Sequence, residues 1–154
     1  MKMAYDEQAA AARMRPGALT AAGFLGDDPR SPADIIAADE AAAAALGLDW
    51  AAAADVLALW LRRGAAGLGA DVDLGGGLTA VSDEARGRLA CPFRDGVYPK
   101  NAVAVSDGTG GRLILSDLSI HLWRAHRFCQ GRGSPFRLEP ALVAAWIKAA
   151  APGA

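Results

Sequence analysis

The feature that most constrains this chain is a change of periodicity near residue 70. Up to about Leu68, apolar residues recur at helical spacing in a background of alanine. From Asp71 onward, alternation, β-branched residues and glycine-rich turns take over. A chain divided in this way keeps its helices and strands apart, which predicts an α+β fold. The expected architecture is a helical N-terminal half packed on a small antiparallel hairpin or sheet region with C-terminal helices. With 154 residues it reads as one domain, 1–154, helical and acidic over 1–68, with hairpins plus helices and a basic balance over 70–154. Alanine inflates the 53% hydrophobic content but buries little area, so Leu, Ile, Val, Trp and Phe must supply the core.

Local signals place the elements. A short helix over Tyr5–Met14 ends at Arg15-Pro16-Gly17. Ser31-Pro32-Ala33-Asp34 starts a second, with Ser31 as N-cap and Pro32 in the first turn, and Gly47 stops it. Asp49 caps a third from Trp50 to Arg63, where Trp50, Leu57 and Leu61 form one stripe with Val56 and Trp60 beside it. Arg62, Arg63 and Gly64 read as its C-terminal signal. Asp71–Leu74 and Leu78–Ser82 flank Gly75-Gly76-Gly77 as one hairpin, and Ala102–Ser106 pairs with Arg112–Leu115 as another. Ser116 caps a helix from Asp117 to about Phe128, a glycine-rich loop follows, and Pro140 opens a last helix over Ala141–Ala150.

Several function classes are disfavoured. Lys2, Asp6 and Glu7 leave no apolar leader, and the runs Ala41–Leu48 and Val56–Leu61 are too short to span a bilayer. A cytoplasmic location with reduced thiols is the expectation, since Cys91 and Cys129 cannot form a disulfide framework. A net charge of −1 argues against a polyanion binder. The four tryptophans sit at helical apolar positions, which suits a core better than base stacking, so nucleic acid is a poor partner.

Three constellations carry chemistry. Cys91, Asp95, His121 and His126 combine a thiol ahead of a hairpin with a helix bearing His-x4-His, the order of elements in a ββα zinc finger. Residues five apart on a straight helix point about 140° away from each other, so both histidines reach one ion only if the last turn loosens. A finger's second cysteine is missing, and Asp95, Cys129 or water would have to complete the set. The alternative is that Cys91 is a small buried hydrophobe and the histidines line a core. The second constellation is the basic run Arg124, Arg127, Arg132 and Arg137, within a stretch from Arg86 to Arg137 of net charge +6. Gly131-Arg132-Gly133-Ser134 can offer amides and a guanidinium to a small anion, which makes Arg124, Arg132, Ser134 and Arg137 candidate ligand-binding residues. The alternative is pairing with Met1–Trp60, whose net charge is −5. The third is acidic: Asp27-Asp28 on a glycine-flanked loop could take a divalent cation, while Asp34 reads as a helix-start residue and Asp39-Glu40 as a solvated face.

Arg15–Ala18, Gly23–Asp28, Ser116–Leu122 and Gly131–Pro140 (GRGSPFRLEP) resemble segments of a group of uncharacterised bacterial proteins, a likeness spanning roughly Met14–Ile147. The resemblance implies a compact bacterial domain and carries no mechanism. Arg127 stands where that pattern has glycine after the second histidine.

Three readings follow. One is a non-enzymatic domain binding a metal, with zinc the foremost candidate, or a small anion, around Cys91, His121, His126 and the 131–134 loop. Another is a small enzyme with His121 or His126 as general acid/base and Arg132 and Arg137 holding an anionic substrate. In that reading Cys91 is a candidate nucleophile, although Cys91-Pro92 lacks the helix N-terminus that lowers a thiol pKa. The third is an interaction module whose 86–137 face docks an acidic protein partner.

Overall fold

The computed structural model describes residues 2–150. Its elements run α1 (Lys2–Arg13), α2 (Pro32–Ala45), α3 (Trp50–Ala66), β1 (Val72–Gly75), β2 (Leu78–Asp83), β3 (Arg88–Ala90), β4 (Val97–Pro99), β5 (Ala102–Ser106), β6 (Arg112–Ser116), α4 (Asp117–His126) and α5 (Pro140–Ala150). The fold is α+β, as the change of periodicity implies. Among the described residues, no single helix is long and apolar enough to cross a membrane.

The helix starts follow from their caps. Ser31 Oγ accepts the Asp34 amide at 3.1 Å, and Asp49 Oδ1 accepts the Ala52 amide at 3.1 Å. Ser116 and Ser119 exchange side-chain-to-backbone bonds of 3.1 and 3.0 Å, a reciprocal box that fixes the start of α4. One end differs from the sequence reading. Helix α3 runs through Gly64 to Ala66, and Gly64 is a buried packing position facing Val103, not a stop.

The two sequence-legible hairpins join through β2 and β5 into one antiparallel sheet of order β1-β2-β5-β6. Val103 pairs with Leu115 and Val105 with Leu113, so four apolar side chains share the face covered by α3. Trp60, Leu57, Leu61, Trp123 and Trp146 complete this main core. All four tryptophans are buried in it, with the indole nitrogens of Trp123 and Trp146 bonded to Trp50 O and Asp107 Oδ2.

The β2–β5 connection carries a third hairpin, β3–β4, that the sequence reading missed. It lies against α4, and a second core forms beneath it from Met14, Phe24, Ile35, Cys91, Leu118, Leu122 and Phe128. Helix α4 therefore serves both cores, with Ile120 and Trp123 on one side and Leu118 and Leu122 on the other.

The loops around Leu25 and Arg132, from two of the segments that carry the bacterial resemblance, meet backbone to backbone. Gly131 N–H donates to Phe24 O at 2.9 Å, and Asp27 N–H donates to Arg132 O at 3.1 Å. A Cβ on Gly26 would strike the Arg132 carbonyl, and one on Gly131 would strike the Leu25 carbonyl, so only glycine permits this approach.

Candidate metal centre

The site is built where the β3–β4 loop meets the end of α4. Cys91 follows β3 directly; its N–H donates to Gly96 O at 2.9 Å, and Arg94 N–H donates back to Cys91 O at 2.9 Å. This tight loop holds the thiol inward and Asp95 toward the helix. Asp95 Oδ1 lies 2.8 Å from His121 Nε2, and Oδ2 lies 2.6 Å from His126 Nε2. The Cys91 sulfur is 4.0 Å from His126 Nε2. One ligand atom from each of the four residues lies within 4.8 Å of the others, so Cys91, Asp95, His121 and His126 are close enough to hold a metal ion.

The histidines approach the carboxylate from two sides. Their rings are 5.4 Å apart and 81° from parallel. The helix exit is wide: Arg127 N–H reaches both Trp123 O and Leu122 O, and Phe128 N–H reaches back to Leu122 O. Arg127 takes the left-handed conformation there, φ 51°, which a glycine would adopt at lower cost. Each imidazole is also backed by an aromatic ring. Phe93 stacks on His126 at 4.1 Å and 18°, and Tyr98 on His121 at 4.6 Å and 26°. The sequence reading did not single out Phe93 or Tyr98; their signal is position, one on each side of Asp95 in a hairpin loop.

Burial differs across the set. Cys91 is 1% exposed, the two imidazoles about a fifth, and the Asp95 side chain 39%. Burial pushes the Cys91 thiol up to about 11, and the neighbouring Asp95 adds to the shift. A thiol so protonated is a poor nucleophile at neutral pH. Burial also acts to raise the Asp95 carboxyl, but hydrogen bonds from Cys91, His121 and His126 outweigh it and hold the group down at about 2.

Cys129 does not join the site. It lies in the main core, 1% exposed, where burial and then the charge of Asp39 raise its thiol far above the ordinary range.

The proposed anion-binding residues are not brought together. Arg124 pairs with Asp55 at 2.8 Å and Arg127 with Glu40 at 3.3 Å, both exposed. Arg137 is inside, bidentate to Asp39 at 2.8 and 3.0 Å and bonded to Gln130 O at 2.6 Å. Ser134 Oγ donates to Gln130 Oε1 at 2.6 Å. In the 131–134 loop the Arg132 amide donates to Asp28 Oδ2 at 3.1 Å, so the anion it meets is the chain's own carboxylate. Asp28 in turn is held by Arg30 at 2.9 and 2.7 Å, which leaves its carboxylate spent as a cation ligand. Asp39, read as part of a solvated face, is 4% exposed because Arg137 reaches it.

Comparison with protein-family models, with curated proteins and with solved structures finds no match for this chain.

Proposed function

We propose that this protein is a metal-stabilised binding domain, with one zinc ion held by Cys91, Asp95, His121 and His126. The observation that carries the reading is the convergence of a thiol, a carboxylate and two imidazoles within 4.8 Å of one another. This N, S and O set suits zinc, and hard cations that want six or more oxygens are poorly served by it. Tetrahedral zinc with bonds of about 2.0–2.1 Å to N and O and about 2.3 Å to S sets ligand atoms roughly 3.3–3.6 Å apart. The contacts of 2.6 and 2.8 Å to the two Asp95 oxygens, the 4.0 Å from Cys91 to His126 and the 4.8 Å outer limit of the set bracket that value, so an ion would draw the ligand atoms together by up to about 1 Å.

Four protein ligands close the coordination sphere, the mark of a structural site; a catalytic one keeps a position for water. The ion would clamp the short β3–β4 hairpin to α4. With three residues per strand, that hairpin has little stability of its own. Phe93 and Tyr98 would fix the ring orientations, as partners around a ligating histidine commonly do. The general acid/base reading of His121 or His126 competes directly, since an Nε2 bound to zinc cannot also move a proton.

Elemental analysis of the purified protein tests this. About one zinc per chain is expected, falling below a tenth in Cys91→Ser and in His121→Ala. Protein that holds no transition metal, even after incubation with zinc and dialysis, overturns the reading.

A further inference from the structure

Beside the metal centre, a cleft of about 750 Å³ opens between α1, α2 and the Cys91–Asp95 loop, with His126 on its wall. That volume lies within the ordinary range for small-molecule sites. We propose that this cleft binds a small monocarboxylate with an apolar body, the carboxylate held by Arg94 and Arg13 and the body lying on Phe93 and Ile36.

Charge selects this ligand class. Arg30, Arg124, Arg127 and Arg137 all pair with carboxylates. Several other arginines have no carboxylate partner among the described residues, Arg15, Arg62 and Arg132 among them, but of these unpaired groups it is Arg13 and Arg94 that line the cleft. The Nε of Arg13 donates to Pro92 O at 2.6 Å, which positions its guanidinium; among the described residues nothing else holds its terminal nitrogens. Guanidinium groups fitted in this way recognise planar carboxylates. Glu7 lies on the same wall, six residues before Arg13 and therefore about 9 Å along α1. Among the described lining residues, two cations and one acid leave a local charge of about +1, which matches a monoanion better than a phosphate dianion. Glu7 also repels a second carboxylate at the far end. The apolar body lies between, over the half-buried Phe93 and Ile36.

This ligand is independent of the metal reading, although the Cys91–Asp95 loop serves both. The test is calorimetric titration of the full chain with hexanoate, hexanamide, adipate and inorganic phosphate, with metal content measured on the same samples. Saturable hexanoate binding is expected, with hexanamide and adipate at least about tenfold weaker and phosphate unable to compete, since a charged hydrogen bond is worth roughly that factor. Arg94→Gln, at an exposed position, should weaken hexanoate about tenfold while leaving hexanamide and the melting temperature unchanged. Ala33→Trp, which fills the cleft from an exposed helix position, should abolish binding of both. Equal affinities for hexanoate and hexanamide, an unchanged affinity in Arg94→Gln, or no saturable binding at all would each overturn the proposal. Hexanoate binding by protein that takes up no metal even after incubation with zinc would sink the metal reading alone, and a zinc-loaded protein that ignores hexanoate would sink only this one.

Discussion

Arg137 and Asp39 meet as a two-pronged ion pair, 98 residues apart in sequence and only 10% and 6% exposed. The pair ties α2 to the loop before α5, and the same guanidinium bonds Gln130 O. Opposite charge on the two halves of the chain is thus used mainly once, in the interior, with weaker exposed pairs at Arg124 and Arg127.

That difference in burial sets the cost of breaking each pair. Asp39→Asn removes the buried carboxylate of this pair and leaves the guanidinium only the half-exposed Glu139, at 2.9 Å, and Gln130 O, so it should destabilise the fold by about 2–3 kcal/mol. Arg124→Ala breaks an exposed pair and should cost under about 1 kcal/mol. Urea denaturation of the two variants beside the wild type measures both. Equal costs would mean that burial of the Arg137–Asp39 pair does not govern its energy.

At the metal centre, His121→Ala removes one ligand and one partner of Asp95. It should cost about 1–3 kcal/mol, a fall of roughly 2–4 °C in melting temperature per kcal/mol for a chain of this size. A chelator should lower the melting temperature of the wild type and leave that of the variant almost where it was. Wild type and variant melting together, with chelator and without, would deny the cluster any stabilising role.

Much of this arrangement was legible in the sequence, and the losses have physical causes. The caps Ser31, Asp49 and Ser116 announce themselves because a side-chain oxygen three residues before a free amide is a local signal. The 102–115 hairpin is equally local, and Cys91, Asp95, His121 and His126 stood out by ligand chemistry. What escaped was non-local. Three-residue strands carry too little alternation to register, so β3–β4 was missed, and with it the stacking of Phe93 and Tyr98 on the histidines. Asp39 looks solvated until Arg137 arrives from the other end of the chain. The 131–134 loop looks like an anion cradle until Asp28 is seen to fill it.

Asp28 makes acid stability testable. The Arg30 guanidinium holds its carboxyl well below the usual carboxylate range; burial opposes this, and the Arg132 and Arg30 amides reinforce it. The folded group therefore loses its proton more readily than the unfolded one, whose pKa is about 3.9. Its contribution is fully present above that value and disappears as pH falls toward the lower folded value. Wild type should exceed Asp28→Asn in stability most at pH 6, and the gap should narrow steadily below pH 4. A gap that stays constant from pH 6 to pH 2 in denaturant titrations would show that the charge of Asp28 contributes nothing.

Gly64 offers the sharpest separation of local from tertiary effects. Judged by the helix alone, Gly64→Ala in the interior of α3 should stabilise by up to about 1 kcal/mol. The sheet opposes that gain: a Cβ at Gly64 would lie 2.5 Å from Val103 Cγ1 and 3.1 Å from Ala80 Cβ. Forcing a methyl into a filled core costs about 1–3 kcal/mol, so Gly64→Ala should destabilise by about 1–2 kcal/mol net. Trimming the obstacle should reverse the sign of the interaction. In a Val103→Ala background, Gly64→Ala should cost far less, or stabilise, and the double-mutant cycle should show coupling of about 1 kcal/mol or more. If Gly64→Ala stabilises the wild-type protein, α3 does not press on β5 at this point, and the glycine only weakens the helix.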